Sequence, residues 1–288
     1  MAMASPPSII VVGSVNLDIV ATAERLPVAG ETVTGAELNR FPGGKGANQA
    51  LAARRLGADV SLVACVGRDA EAESALALLR EGGVDLSSCM THPSVPTGVA
   101  LIAVSSAGEN QIVVAPGANR QIDLNDIDLP EADALICQLE VPVNVLVEAM
   151  GAFDGFVCVN LAPAAEVHDS LIENADLIVV NETEARYYGN RLNSTGALIA
   201  RTLGAGGAEI SRDGEVLCRS SSPIISAVDT TGAGDAFTAA LTVALIEGRS
   251  PELALDFACA AGAAAATKAG AQPALPFRKE VERLLGRS

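Results

Sequence analysis

Ile9-Ile10-Val11-Val12-Gly13-Ser14-Val15-Asn16-Leu17-Asp18 begins with four β-branched residues in succession and then turns polar at a glycine. A strand with one wet face alternates apolar and polar residues, whereas an unbroken apolar run reads as a strand covered on both faces, the habit of parallel sheets. Runs of the same kind recur at Val60 to Cys65, Ala134 to Gln138, Phe156 to Asn160 and Leu177 to Val180, each flanked by polar, Gly or Pro residues. Helical patterns fill Ala47 to Leu56, Ala70 to Arg80, Val143 to Met150, Ala236 to Glu247 and Pro251 to Lys268. This alternation predicts βαβ units around a mainly parallel sheet, an α/β fold. The last helix is rich in alanine, which suits close packing against a neighbour.

Two stretches break the rhythm. Glu31 to Phe41 and Thr97 to Ala115 alternate polar and apolar residues and read as antiparallel strands of a small β-sheet lid. No repeat, low-complexity linker or heptad interrupts the chain, so residues 1–288 read as one domain with lid strands at about 31–41 and 97–115.

The chain of 288 residues is 49% hydrophobic, enough to bury a substantial core. A formal net charge of -16 opposes a nucleic-acid or anionic-membrane surface, so an anionic ligand must be held locally, by helix N-termini and single basic side chains. Met1 to Pro7 carry neither the charged nor the apolar part of a signal peptide, and no run reaches the roughly 18 apolar residues of a membrane span. The six cysteines show no CxxC pairing, which fits reduced core thiols and a cytoplasmic protein, and His92 and His168 have no partner at zinc spacing.

Several motifs carry chemistry. Gly43-Gly44-Lys45-Gly46-Ala47-Asn48-Gln49-Ala50 places three glycines and a lysine at a helix start, where backbone can approach a ligand closely. It is not a Walker A loop, which would need Gly at 39 and Ser or Thr at 46 where the chain has Asn39 and Gly46. A plain glycine turn capping the helix is the competing reading. Asn16 and Asp18 follow the first strand, where α/β sheets bind ligands, and are placed either to bond sugar hydroxyls or to satisfy an Asx turn.

In Val228-Asp229-Thr230-Thr231-Gly232-Ala233-Gly234-Asp235-Ala236-Phe237 an apolar strand gives way to two glycines just before a long helix. Bare N–H groups at such a start suit phosphate oxygens. Asp235 is then either a dipole-stabilising acid or a base that takes a proton from an attacking hydroxyl while Gly232, Ala233 and Gly234 receive charge from the transferred group. Glycine on both sides of Ala233 favours the base. Asn181-Glu182-Thr183-Glu184 reads as a capping box, with the alternative that Glu184 lies in the water shell of Mg²⁺.

In this order, and with Gln138-Leu139-Glu140 between them, these motifs resemble those of the ribokinase-like (PfkB-type) carbohydrate kinases along nearly the whole chain. The resemblance implies a three-layer α/β/α Rossmann-like domain with a β-sheet lid that joins two copies into a homodimer. It implies ATP-dependent phosphorylation of a sugar's primary hydroxyl, with Asp235 as base and Asn16, Asp18, Gly44, Lys45, Asn48 and Glu140 on the sugar. The Gly-Gly-Lys-Gly-Ala-Asn-Gln form looks like the D-ribose branch and unlike fructokinase, adenosine kinase or ketodeoxygluconate kinase. For the nucleotide it points to Asn181, Thr202, Gly204, Gly207, Gly234 and the position of Cys259. For a monovalent cation, usually K⁺, it points to Asp229, Thr231, Ala265, Lys268 and Gly270, mostly through carbonyls.

Three features depart from the family pattern. Gly189 to Leu203 is short, with no evident strand in Ala197 to Arg201, Cys259 stands where His or Asn is common, and Ala274 stands where Ser often serves the cation. The rival expectations are a kinase of the same fold for another sugar or a nucleoside, and a binding protein that has lost catalysis.

Overall fold

The computed structural model describes residues 5–125 and 129–286. Residues 1–4, part of the segment read as lacking a signal peptide, lie outside the described residues. In chain order the elements are β1 (Ser8–Val12), β2 (Asn16–Ala23), β3 (Glu37–Gly43), α1 (Lys45–Arg55), β4 (Asp59–Gly67), α2 (Ala70–Gly82), β5 (Cys89–His92), β6 (Gly98–Ser105), β7 (Asn110–Ala115) and β8 (Ala134–Gln138). There follow α3 (Val143–Gly151), β9 (Phe156–Asn160), α4 (Asp169–Glu173), β10 (Leu177–Asn181), α5 (Glu182–Tyr188), β11 (Leu198–Thr202), β12 (Ala208–Arg212), β13 (Glu215–Ser220), α6 (Ala233–Ile246), α7 (Pro251–Ala265), α8 (Ala271–Ala274) and α9 (Arg278–Leu284).

The large sheet runs β13-β12-β11-β10-β9-β8-β1-β4-β5. From β11 to β5 every pair is parallel, whereas the β11–β12 and β12–β13 pairs are antiparallel, so β12 alone runs against the other strands. The apolar run of β1 does what its lack of alternation predicts: Ile9 and Val11 pack on the face covered by α1, α6 and α7, and Ile10 and Val12 on the face covered by α3. Two cores, one on each face, make the three layers. Successive crossovers place β4 on one side of β1 and β8 on the other. A crevice therefore opens beyond the carboxyl ends of β1 and β8, the topological switch point where α/β sheets hold ligands.

The small sheet has the order β3-β2-β6-β7. It differs from the sequence reading in two ways. Residues 31–36 form no strand, and β3 starts only at Glu37. Asn16 to Ala23, where the sequence suggested no strand and offered an Asx turn as one reading of Asn16 and Asp18, is a central strand of this sheet, antiparallel to β3 and parallel to β6. The chain passes almost directly from β1 into β2, and the three intervening residues Gly13-Ser14-Val15 conceal the change of sheet.

Two more readings are corrected. The strand that Ala197 to Arg201 did not show is β11, with Leu198 paired to Leu177 and Thr202 to Asn181. Its charge is offset across the strand pair, where Arg201 bonds Glu209 at 2.5 Å. Conversely, no strand leads into Gly232: β13 ends at Ser220, and 221–231 run as a loop. The helix read over Pro251 to Lys268 stops at Ala265, where the Thr267 hydroxyl donates to the Ala264 carbonyl at 2.7 Å.

Candidate active site

α1 begins against the chain that leaves β1. Gly44 caps it at φ 90, where a Cβ would stand 2.7 Å from the Asn16 nitrogen, so only glycine fits. With that contact closed, the Ala47 N–H reaches the Ser14 carbonyl at 2.9 Å. The Glu140 Oε2, just beyond β8, accepts from the Ser14 hydroxyl at 2.5 Å and the Lys45 N–H at 3.1 Å. The switch-point crevice is thus laced by β1, β8 and α1 together.

Asn16 is held from behind. The Asn119 Nδ2 donates to its Oδ1 at 2.8 Å, and the Asn119 Oδ1 accepts the Val15 N–H at 2.8 Å, which leaves the Asn16 amide N–H₂ as its free group. Asp18 lies on β2, opposite Phe41. Burial first, then the nearby Glu140 and Asp235 carboxylates, push its carboxyl up to about 7.

A consequence for stability follows. The folded state holds the Asp18 proton more tightly than the unfolded chain, so this contribution is fully present below about pH 4 and is lost as pH rises through 7. Asp18→Asn is expected to stabilise the protein by on the order of 3 kcal/mol at pH 8, and by clearly less at pH 5. Urea denaturation at the two pH values checks this, and an equal gain at both would contradict it.

Asp235 sits in the first turn of α6 and is buried. Its Oδ2 accepts from the Asn48 Nδ2 at 2.8 Å and its Oδ1 from the Gln49 Nε2 at 2.9 Å. Burial raises its pKa, opposed by the Lys45 ammonium and by these two amide donors. Lys45 shows the complementary balance: burial would lower it, but Asp235, Glu140 and Glu184 keep it raised and charged. Asn48 leaves its buried Oδ1 without a partner, an acceptor reserved for something else.

At the same helix start, the Gly234 and Asp235 N–H groups find no acceptor among the described residues, and a Cβ on Gly234 would meet nothing within 4 Å. Open space therefore faces bare backbone, as the glycine motif suggested. The Ala233 N–H differs, since it donates to the Thr230 carbonyl at 3.2 Å and is not available. Gly232 supplies the left-handed turn, φ 77, that starts the helix.

Beside Gly234 lies a cavity of about 440 Å³ lined by Thr202, Gly204, Gly207, Gly234 and Cys259 among others. Five sequence-assigned nucleotide residues therefore share one wall system, Thr202 and Gly204 included. Asn181 does not line it. Its Oδ1 caps α5 by accepting the Thr183 and Glu184 N–H groups, both at 2.9 Å, while the Glu184 Oε2 accepts the Asn181 N–H at 2.7 Å. The capping box is real, and the second Glu184 oxygen is uncommitted. Burial pushes the Cys259 thiol up to about 11, which makes it an inert wall.

Asp229 ties two loops together, accepting the Thr231 N–H and the Gly270 N–H, both at 2.9 Å. Among the described residues no group donates a hydrogen bond to the carbonyls of Thr231, Ala265, Lys268 and Gly270. The Lys268 ammonium pairs with Glu280 at 3.0 Å, so only its carbonyl is left for this loop, and Ala274 is buried with no hydroxyl to add. Among the described residues no group of three or more His, Cys, Asp or Glu side chains forms a metal cage.

Sequence reasoning gave no role to Ser14, Gln49, Asn119, Gln138 or Asn160, all buried beside this site. Gln49 and Gln138 do lie inside two of the quoted motifs, and Gln49 falls four residues after Lys45, and so on the same helix face.

The family described as pfkB family carbohydrate kinase matches residues 6–278. Ribokinase of Bacillus subtilis (strain 168) is 38% identical over 294 residues, covering 96% of this chain and 99% of the relative. Ribokinase from Thermotoga maritima superposes with a TM-score of 0.88 at 33% identity, covering 97% of this chain and 99% of that one. Arabidopsis thaliana ribokinase complexed with ribose and ATP gives a TM-score of 0.84 at 32% identity, covering 98% and 100%.

Proposed function

The chain belongs to the pfkB family of carbohydrate kinases, and from that premise we propose that it transfers the γ-phosphoryl group of ATP to the primary hydroxyl of D-ribose, giving ribose 5-phosphate. The observation that carries this reading is the Asp235 carboxylate, buried and held by two amides where bare N–H groups face open space. Asp235 accepts the hydroxyl proton, and its raised pKa makes it a stronger base near neutral pH than an exposed aspartate. The Gly234 and Asp235 N–H groups, with Gly232 setting the turn, stabilise charge on the transferred group. Ala233 acts only by keeping a small side chain between the glycines, since its N–H is already bonded.

The free groups fit a polyol. Asn16 offers an N–H₂ and Lys45 an ammonium, while Asn48, Asp18 and Glu140 offer acceptors. Hydroxyls, which donate and accept, satisfy such a mixed set. Gly44 lets these groups approach the sugar. ATP extends into the cavity beside Gly234, against Thr202, Gly204, Gly207 and Cys259, and Asn181 serves that side by fixing the start of α5.

The free Glu184 oxygen suits a contact to a water of Mg²⁺, which would supply charge neutralisation at the phosphates. The uncommitted carbonyls of Thr231, Ala265, Lys268 and Gly270, with Asp229 bracing the loops, suit a monovalent cation such as K⁺. ADP release measured across ribose, deoxyribose, fructose and nucleosides tests the acceptor. Ribose is expected to give the highest kcat/KM, and rapid turnover of another acceptor without ribose turnover would overturn the assignment.

The small sheet supports a homodimer. Asp18, Ala100 and Val114 share the face toward the site, whereas Leu101 and Val113 pair on the other, where Val113 is 66% exposed. Leu38 is exposed on that outer face too, and a second copy of the chain would bury it. Val113→Asp is expected to convert a dimer to a monomer in sedimentation equilibrium, and a wild-type monomer at high concentration would refute the dimer. No helix among the described residues is long and apolar enough to cross a membrane. The free thiols suit the reducing cytoplasm.

A further inference from the structure

Behind Asp235 lies a chain of three buried amides that a merely filled core would not contain. The Gln49 Nε2 donates to the Asp235 Oδ1 at 2.9 Å and to the Asn160 Oδ1 at 3.1 Å. The Gln49 Oε1 accepts from the Gln138 Nε2 at 2.7 Å, and the Asn160 Nδ2 donates to the Val179 carbonyl at 3.1 Å. A carboxylate can only accept, which fixes the way round of the Gln49 amide and, through it, of Gln138. Both Nε2 hydrogens are engaged, so the amide has no second orientation. Gly13 makes the arrangement possible, since a Cβ there would lie 2.0 Å from the Gln138 Oε1. Three adjacent elements, β8, β9 and β10, thus anchor one side chain of α1.

We infer that Gln49, clamped by Gln138 and Asn160, is a positioning residue that sets the plane of the Asp235 carboxylate and aims it at the acceptor hydroxyl. Asn48 alone holds one oxygen and leaves rotation about that bond. The second bond, from Gln49, removes it. This inference rests on Asp235 being the base. The charged groups that face Asp235 are Lys45 from α1, Glu140 beyond β8 and Asp18 from β2, and all three remain in the variants below. Loss of the Gln49 donor disfavours the carboxylate form, so the proton is held to higher pH.

The test is steady-state kinetics and a pH profile of kcat/KM on the full-length enzyme. Gln49→Leu is expected to lower kcat at least about 10-fold, to leave KM for ribose and the ATP dissociation constant within about 3-fold, and to move the acid limb to higher pH. Asn160→Leu, which frees only the far side of the clamp, gives a smaller change in the same direction. Where the leucine variant fails to fold, Gln49→Glu serves: it keeps an acceptor for Gln138 and sets a second acid against Asp235, and the acid limb rises again. A folded Gln49→Leu or Gln49→Glu enzyme with the wild-type kcat and pH profile, or with a loss confined to KM, overturns the inference. Asp235→Asn measured in parallel separates the two claims. If it is inactive while the Gln49 variants behave as wild type, only the clamp fails, and if it is active the base assignment fails first.

Discussion

Asp235→Asn is expected to lower kcat for ribose phosphorylation by about 10³-fold while ATP still binds, because the proposed general-base role contributes roughly 10² to 10⁴ and the amide cannot take the proton. The substitution also sets an amide N–H₂ against one of the two donors that now meet the carboxylate, from Asn48 or Gln49. That mismatch costs about 1 to 3 kcal/mol, and removal of a buried, pKa-raised carboxylate offsets part of it. The variant therefore remains folded near neutral pH. Single-turnover kinetics with calorimetric ATP binding check this, and an active Asp235→Asn enzyme would remove the base from the mechanism.

Two glycine-to-alanine changes are expected to part company. On helix propensity alone, Gly46→Ala in α1 should gain about 1 kcal/mol. Packing decides otherwise, since its Cβ would stand 2.5 Å from the Gly13 carbonyl carbon and 2.5 Å from the Ser14 nitrogen. Both are backbone atoms of the β1 exit and cannot yield cheaply, so Gly46→Ala is expected to destabilise by about 3 kcal/mol and to spread the Asn16 and Glu140 groups apart. At Gly234 the Cβ meets nothing. Gly234→Ala is therefore expected to hold or slightly raise the melting temperature and yet to lose at least about 10-fold in kcat, as a methyl intrudes beside the N–H groups proposed to stabilise the transferred charge. Thermal melts paired with kinetics check the contrast, and a stable Gly46→Ala enzyme with normal kinetics would contradict it.

This contrast also shows what a sequence can convey. The apolar runs of β1, β8, β9 and β10 were legible because burial on both faces admits only one kind of side chain. β11 was obscured by Arg201, whose charge is answered by Glu209 from a strand that the sequence does not announce as its neighbour. β2 was obscured because its first residues look equally like a turn. Asp235 stood out through the glycines beside it. Gln49, Gln138 and Asn160 did not, because neutral amides carry no charge pattern and their contacts span 89 and 111 residues of chain. The readings of Asn181 and Glu184 as a cap and as nucleotide-side residues are not exclusive. The structure has the cap and leaves one Glu184 oxygen free.

The most direct measurement is a ³¹P NMR time course with ATP, Mg²⁺, K⁺ and D-ribose, run on the wild-type enzyme and on Asp235→Asn. A phosphomonoester on the primary carbon of ribose, appearing with ADP in equal amount for the wild type and absent on the same timescale for the variant, is the predicted result. ATP hydrolysed to free phosphate without a sugar phosphate, phosphate on another ribose oxygen, or equal rates for the two proteins would contradict it.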